Sequence, residues 1–473
     1  SVITTLAMSP MSSPEEFELQ ENTLGITMAG ERTATGWSQF GDSSNPANIG
    51  DLAVLDSNGD IYAAGMMSAS SALSFGTQTA SSSATVQPWF AKSDASGIWQ
   101  WANAVPVSGG QFAEANIGGI ALSSSGDMYV TGVFYDNITF GSTNLRSTGY
   151  YDCFIAKSNS AGQWQWAQAL HGNGDYDGTT VLTLDVVWGT AIDVDSSGNV
   201  IIGGFFIGNT DVGVAADSGG TSGDDAEVFV AKYSGSGTLQ WTKDARGAGF
   251  QEVASVTIDV NNDAWISTSF NGNMAFGSFS VSGTSGNSEG AFAKISSSGA
   301  WASANPINGG GDVIITAIAE KGGSNLLMSG YLTSDASFGT TLVASAGGET
   351  FGWISSYNIT SGNWNWANGL GGSSYDIISD IAAAPGGNSG IVTMSSASSF
   401  SVASDSFSPQ GFNDSIVAVF DANTGNWLRG VFAGSTANDW PQSMGVSSTG
   451  QVVVGGLFAD TIDFSSAGGS SHT

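Results

Sequence analysis

The chain has 473 residues, 67 of them Gly and 11% aromatic with 15 Trp, and its single Cys, Cys153, excludes an intramolecular disulfide framework. Only 11% of residues are ionisable, yet 41 acids against 10 bases leave a formal charge of −31. That sign repels phosphate backbones and so excludes nucleic-acid binding, and with no apolar run long enough to cross a bilayer no membrane insertion is expected.

Taken in order, the chain begins with a β-prone apolar run, Ser1-Val-Ile-Thr-Thr-Leu-Ala-Met8, followed by Pro/Ser-rich and acidic residues. Residues 1–20 lie outside any repeat and read as an N-terminal extension. It is expected either to lie on its own propeller or, through Val2, Ile3 and Leu6, to add a strand to a neighbouring copy, a contact that need not close and so builds filaments or sheets. A start at Ser1 rather than Met fits an exported chain whose signal segment has been removed. Two short strands are then expected, Ile26-Thr-Met-Ala-Gly30 and Gly36-Trp37-Ser-Gln-Phe40.

From Leu52 two signatures alternate with a period of roughly 65 residues. One reads LAVLDSNGDIYAAGMM from Leu52, IALSSSGDMYVTGVF from Ile120 and IDVDSSGNVIIGGFF from Ile192, and recurs from Val256, Ile318, Ile381 and Met444. The other reads WFAKSDASGIWQWANAV from Trp89, CFIAKSNSAGQWQWAQAL from Cys153 and VFVAKYSGSGTLQWTKDA from Val228, and recurs from Ala291, Trp353 and Ile416. Each is a strand, a turn whose Gly supplies positive φ, and a second strand. A repeat therefore holds four strands: A and B from the first signature, C and D from the second. The first signature occurs seven times and the second six; the missing C and D are expected in Ile26–Phe40. The expected fold is an all-β, seven-bladed β-propeller over residues 21–473, its closing blade shared between the N- and C-terminal segments.

The runs Phe154 to Ala167, Phe229 to Thr242, Ser124 to Phe134 and Asp195 to Phe205 resemble the bacterial and archaeal seven-bladed β-propeller (SBBP) repeat family. The resemblance implies a propeller in a secreted or envelope-attached protein, and implies no particular activity.

Several residue sets invite a functional reading. Trp37, Trp101, Trp166, Trp241, Trp301, Trp366 and Trp427 anchor the second signature, and a Trp at one place in every blade reads as inter-blade core, with a sugar-stacking ladder as the alternative. Lys92, Lys157, Lys232 and Lys294 share one repeat position and read as structural, bonded to a neighbouring blade; an anion-binding ring is the alternative. Asp193 and Asp195, and Asp224, Asp225 and Glu227, are candidate Ca2+ ligands, but neither segment has the twelve-residue loop ending in a bidentate Glu, and both read as turns or loops. Asn137, Asn358 and Asn413 open glycosylation sequons. Cys153 lies in a predicted strand as a small buried apolar residue.

No His/Cys metal cluster, phosphate loop or nucleophile elbow is present, so no catalytic residue and no cofactor is expected. The expected function is a non-enzymatic extracellular structural or adhesive propeller on a prokaryotic cell surface, a subunit of a filament or layer. Its expected partners are copies of itself or other surface proteins. The alternatives are a secreted carbohydrate-binding module, which an exposed aromatic cluster would favour, and a polysaccharide-degrading enzyme, which would need converging carboxylates.

Overall fold

The alternation of apolar runs with Gly-centred turns folds into antiparallel strand pairs throughout. The computed structural model describes residues 2–7, 25–28, 49–67, 72–82, 86–110, 113–172, 185–208, 226–284, 286–347 and 349–458. Among these every regular element is a strand. In the A–B turn the backbone turns left-handed at Gly59 (φ 82°), Gly126 (78°) and Gly198 (78°). Asn262 takes that place at 60° in the fourth repeat, Asn being a side chain that tolerates this region.

Six four-stranded antiparallel units follow one another, each in the order A-B-C-D. Their A strands are Ile49–Leu55, Glu114–Leu122, Val186–Val194, Val253–Ile258, Val313–Glu320 and Asp376–Ala383. A further sheet draws on both ends of the chain: Asp439–Val446, Val452–Phe458, Val2–Ala7 and Gly25–Met28, paired in that order. Strands B and C sit mid-sheet between neighbouring sheets. Ile61–Met67, Gln87–Ser93 and Glu227–Tyr233 are buried along their whole length, so their apolar residues do not alternate with polar ones as on a half-buried strand.

Each A strand lies against the A strand of the next unit, and Asp439–Val446 lies against Ile49–Leu55. Face-packed four-stranded sheets in sequence are the architecture of a β-propeller. Every A strand carries a bulge, for example between Gly189 and Ala191 and between Ile378 and Asp380, and three of the bulged residues bond across the sheets. Thr190 Oγ1 donates to Val253 O (2.5 Å), Thr316 Oγ1 to Ile378 O (2.7 Å) and Ser379 Oγ to Pro441 O (2.6 Å). The last junction is made by Ala53 N donating to Ser443 Oγ at 2.9 Å.

The ends depart from expectation. Val2–Ala7 is not a strand offered to another copy: Val2, Ile3 and Leu6 pair with Gly456, Gly455 and Val452, and Leu6 pairs with Ile26 on the other side. Both edges are filled from within the chain, so no edge is left for donation, and the boundary set at residue 20 does not separate this strand from the sheet. It takes the C position and Gly25–Met28 the D position; Gly36–Phe40, with Trp37, lies outside the described residues.

The sequence reading also missed a hairpin between strands B and C. It is carried by Phe75-Gly76, Phe140-Gly141, Phe276-Gly277 and Phe338-Gly339, each Gly at φ between 57° and 62°. This hairpin pairs with the end of the preceding unit: Asn137 with Ser108, Ala275 with Arg246, and Ala336 with Gly309. It covers part of the outer edge that strand D would otherwise expose.

Candidate binding site

The repeat residues build the inter-sheet contacts. Trp101, Trp166, Trp241 and Trp366 pair across strand C with Lys92, Lys157, Lys232 and Ser356. Their indole N–H groups donate to the next unit's C–D turn, at Ser160 O, Gly235 O, Ser297 O (each 3.1 Å) and Ala422 O (3.3 Å). The turn glycines Gly162, Gly237, Gly299 and Gly425 lie on those rings so closely that a Cβ would stand 2.5–2.8 Å from a ring carbon.

Trp301 and Trp427 do not share this position. They pair with Ile295 and Phe420, in register with Trp99 and Trp164, and their N–H groups donate backwards, to Asp244 O (3.1 Å) and Gly369 O (3.2 Å). The recurring Trp anchor thus occupies two strand-D positions two residues apart.

The lysines bond within their own sheet rather than to a neighbouring blade. Lys92 Nζ lies 2.9 Å from Asp60, Lys157 2.9 Å from Asp127, Lys232 3.4 Å from Asp195, and Lys294 2.9 Å from Asp263 and 3.2 Å from Asp259. Each ion pair ties strand C to the A–B turn. Lys92, Lys157 and Lys294 also sit over the rings of Tyr62, Tyr129 and Trp265.

Among the described residues the candidate calcium ligands Asp193, Asp195 and Glu227 are each held by backbone N–H groups. Asp193 accepts from Val194 N and Ile258 N (2.7 and 2.8 Å), Asp195 from Ser197 N and Asn199 N, and Glu227 from Gly247 N. Asp224 and Asp225 lie outside the described residues, and no group of three metal-ligating side chains occurs among the described residues. Desolvation pushes the Asp193 carboxyl up to about 6, and Asp380, which spans to Met444 N, up to about 7. Of the sequon residues, Asn137 donates to Ser108 O and Asp136, Asn358 accepts from Thr360 N and Ser361 N in a turn, and Asn413 accepts from Asp439 N through its backbone carbonyl.

At the end of the sheets where strands A and C begin, a series of aromatic side chains runs from the second unit to the third. Tyr135 closes strand B, Tyr150 and Tyr151 precede or open strand C, Trp188 and Phe205 are cross-strand partners, and Phe250 follows strand D. Consecutive ring centroids are 5.6, 4.6, 6.4, 5.9 and 5.0 Å apart. Tyr150 is 36% and Phe250 58% exposed; between them Tyr151 and Trp188 are half-buried and Phe205 is buried. The backbone fixes the series: Tyr150 N donates to Asp185 O (3.0 Å) and Val187 N to Tyr151 O (2.8 Å).

Carboxylates border it. The Tyr151 hydroxyl donates to Glu114, and burial, then that hydrogen bond, push the phenol up. His171 Nδ1 lies 2.7 Å from Asp152, which also accepts from Thr148 N and Gly172 N (2.7 Å each). The arrangement offers apolar faces beside oxygen acceptors. Apart from Phe205, these aromatics lie outside both repeat signatures, and the one sequence signal for them was Tyr150-Tyr151 in an otherwise Gly/Ser-rich connection.

No family model matches the chain. It is 29% identical over 153 residues to an uncharacterized WD repeat-containing protein of Acanthamoeba polyphaga mimivirus, a match covering 30% of this chain and only 10% of that protein's length. Among solved structures it is similar to the Dos1 propeller, with 11% identity and a TM-score of 0.40 over 86% of this chain and 92% of that one. It is also similar to YCF48 bound to D1 peptide (7%, TM-score 0.38, 88% and 93%). A third is the quinohemoprotein alcohol dehydrogenase from Comamonas testosteroni (10%, TM-score 0.38, 86% and 74%).

Proposed function

We propose that this chain is a non-enzymatic, extracellular adhesive module: a seven-bladed β-propeller of the SBBP-repeat kind that holds carbohydrate on the Tyr150–Phe250 aromatic series. The observation that carries the reading is that series, open to solvent at both ends of a contiguous run of rings. Exposed aromatic patches on a propeller loop face mark binding surfaces, and flat rings next to carboxylates suit a ligand with C–H faces and hydroxyl donors. Seven blades are supported by the six units in sequence plus the sheet drawn from both ends, and by the Ala53–Ser443 bond that joins last to first. An outside location is supported by the acid excess and the Gly/Ser-rich composition. Carbohydrate replaces self-assembly as the basis of adhesion because Val2–Ala7 has both edges paired. The reading invokes no cofactor and no catalytic residue.

The test is a screen of the 473-residue protein against immobilised neutral and acidic glycans, followed by calorimetry of any hit. Tyr150→Ala with Phe250→Ala should weaken binding about tenfold to a hundredfold, since tenfold is about 1.4 kcal/mol, without lowering the melting temperature. A native protein that binds none of the arrayed glycans would sink the proposal.

A further inference from the structure

We infer that the same face carries a second aromatic platform, Phe412 with Trp440, and that the ligand is a neutral polymeric glycan held at both platforms. The inference rests on the carbohydrate reading above.

Register makes two positions of the platforms equivalent, while the intervening Tyr151 and Phe205 of the first are Asn413 and Leu457 in the second. Trp188 and Trp440 each stand two residues before the bulged residue of strand A and pair with the residue after a strand-B glycine, Phe205 and Leu457. Tyr150 and Phe412 each stand two residues before a strand-C aspartate. Those aspartates, Asp152 and Asp414, are held alike, accepting from Thr148 N (2.7 Å) and Gln410 N (2.6 Å). The connecting bond recurs too: Val187 N donates to Tyr151 O at 2.8 Å, and Asp439 N to Asn413 O at 2.7 Å. At the other junctions between successive units the sequence has no aromatic at either place: Thr85 and Asn116, Asp225 and Glu252, Asn287 and Ile314, Glu349 and Ile377. Aromatic residues thus stand at both places at the second-to-third junction and again at the sixth-to-last, at the same end of the sheets.

The second platform is more open than the first, with Phe412 77% and Trp440 40% exposed. The carboxyl groups Glu114, Asp152 (with His171 beside it) and Asp414 are bonded into the platforms, on a chain of formal charge −31. That field disfavours uronate or sulfate polymers and leaves an uncharged chain as the fitting occupant. Two linked contacts make affinity grow with ligand length once both are reached.

The experiment titrates the whole protein with neutral β-linked gluco- and manno-oligosaccharides of increasing length and with the soluble polymers, using alginate as the acidic comparison. The expected result is an affinity for polymer at least a hundredfold above that for short oligomers. Phe412→Ala with Trp440→Ala should erase most of that gain, reduce the short-oligomer sites from two to one without changing the affinity of the site that remains, and leave the melting temperature unchanged. Short oligomers bound as expected, but with the same length dependence in the double variant, would overturn the second platform and spare the first. Preference for alginate would overturn the neutral-polymer assignment. Sedimentation showing a dimer that F412A/W440A dissolves would give the platform to a second copy instead. Failure of every probe with the unmodified protein overturns the carbohydrate reading itself.

Discussion

Gly237 and Gly249 offer a controlled test of what the inter-sheet tryptophans contribute. Both have φ of +82°, but a Cβ on Gly237 would stand 2.7 Å from Trp166 Cδ2, whereas one on Gly249 would meet nothing within 4 Å. Alanine at either site incurs the left-handed backbone cost of roughly 1–2 kcal/mol. At Gly237 the methyl must also displace the Trp166 ring, with overpacking of about 1–3 kcal/mol. The 3.1 Å bond from Trp166 Nε1 to Gly235 O is strained with it, a further loss of about 1 kcal/mol. Gly237→Ala is therefore expected to cost about 3–6 kcal/mol and Gly249→Ala about 1–2 kcal/mol. Urea unfolding followed by fluorescence and by circular dichroism measures both, comparing midpoints where the slopes agree, because repeat arrays do not always unfold in one step. In a Trp166→Ala background the Gly237 penalty should shrink to that of Gly249, the signature of direct coupling. Equal losses at the two glycines, or no coupling to Trp166, would refute the idea that these turns latch one sheet to the next.

Three further outcomes are expected. Lys232→Met, which strands Asp195 in a pair whose side chains are 4% and 2% exposed, should cost about 3–5 kcal/mol, and more than Lys157→Met, whose pair with Asp127 is 17% and 26% exposed; urea midpoints that rank them the other way would contradict this. Asp193 and Asp380 have carboxyls raised to about 6 and about 7, so between about pH 4, where an unfolded Asp titrates, and pH 7 the folded state binds more protons. Their contribution is thus full below pH 4 and is lost as pH rises to 7, and Asp380→Asn should flatten that part of the stability profile. Burial pushes the Cys153 thiol up to about 12, so a thiol reagent at pH 8 should label it only at the rate of unfolding, and prompt labelling of the native protein would place the side chain elsewhere.

What was legible in the sequence divides along a physical line. Strands B and C, the A–B and C–D turns and the Lys position could be read because each recurs with the same local requirement: two buried faces, a left-handed residue, a cation over an aspartate turn. The Trp anchors were read one level too coarsely, since positions two residues apart on strand D share a face and only the bulge register separates Trp301 and Trp427 from the others. The hairpins at Phe75-Gly76 and its counterparts were missed although their signal was present, because a four-residue strand pair is too short to show a period. Val2–Ala7 was misassigned for a different reason: its partner is Val452–Phe458, at the far end of the chain, and no local pattern reports a pairing at that separation. The aromatic platforms were the least legible of all. Repetition explains what every blade needs in order to pack, and a binding face is made of the departures from it. Tyr150 with Trp188 and Phe412 with Trp440 became recognisable as one device used twice only when the bulges and the strand-C aspartates supplied a common register. In a repeat protein, then, candidate function is best sought by aligning junctions on their backbone bonds and asking where one position changes character.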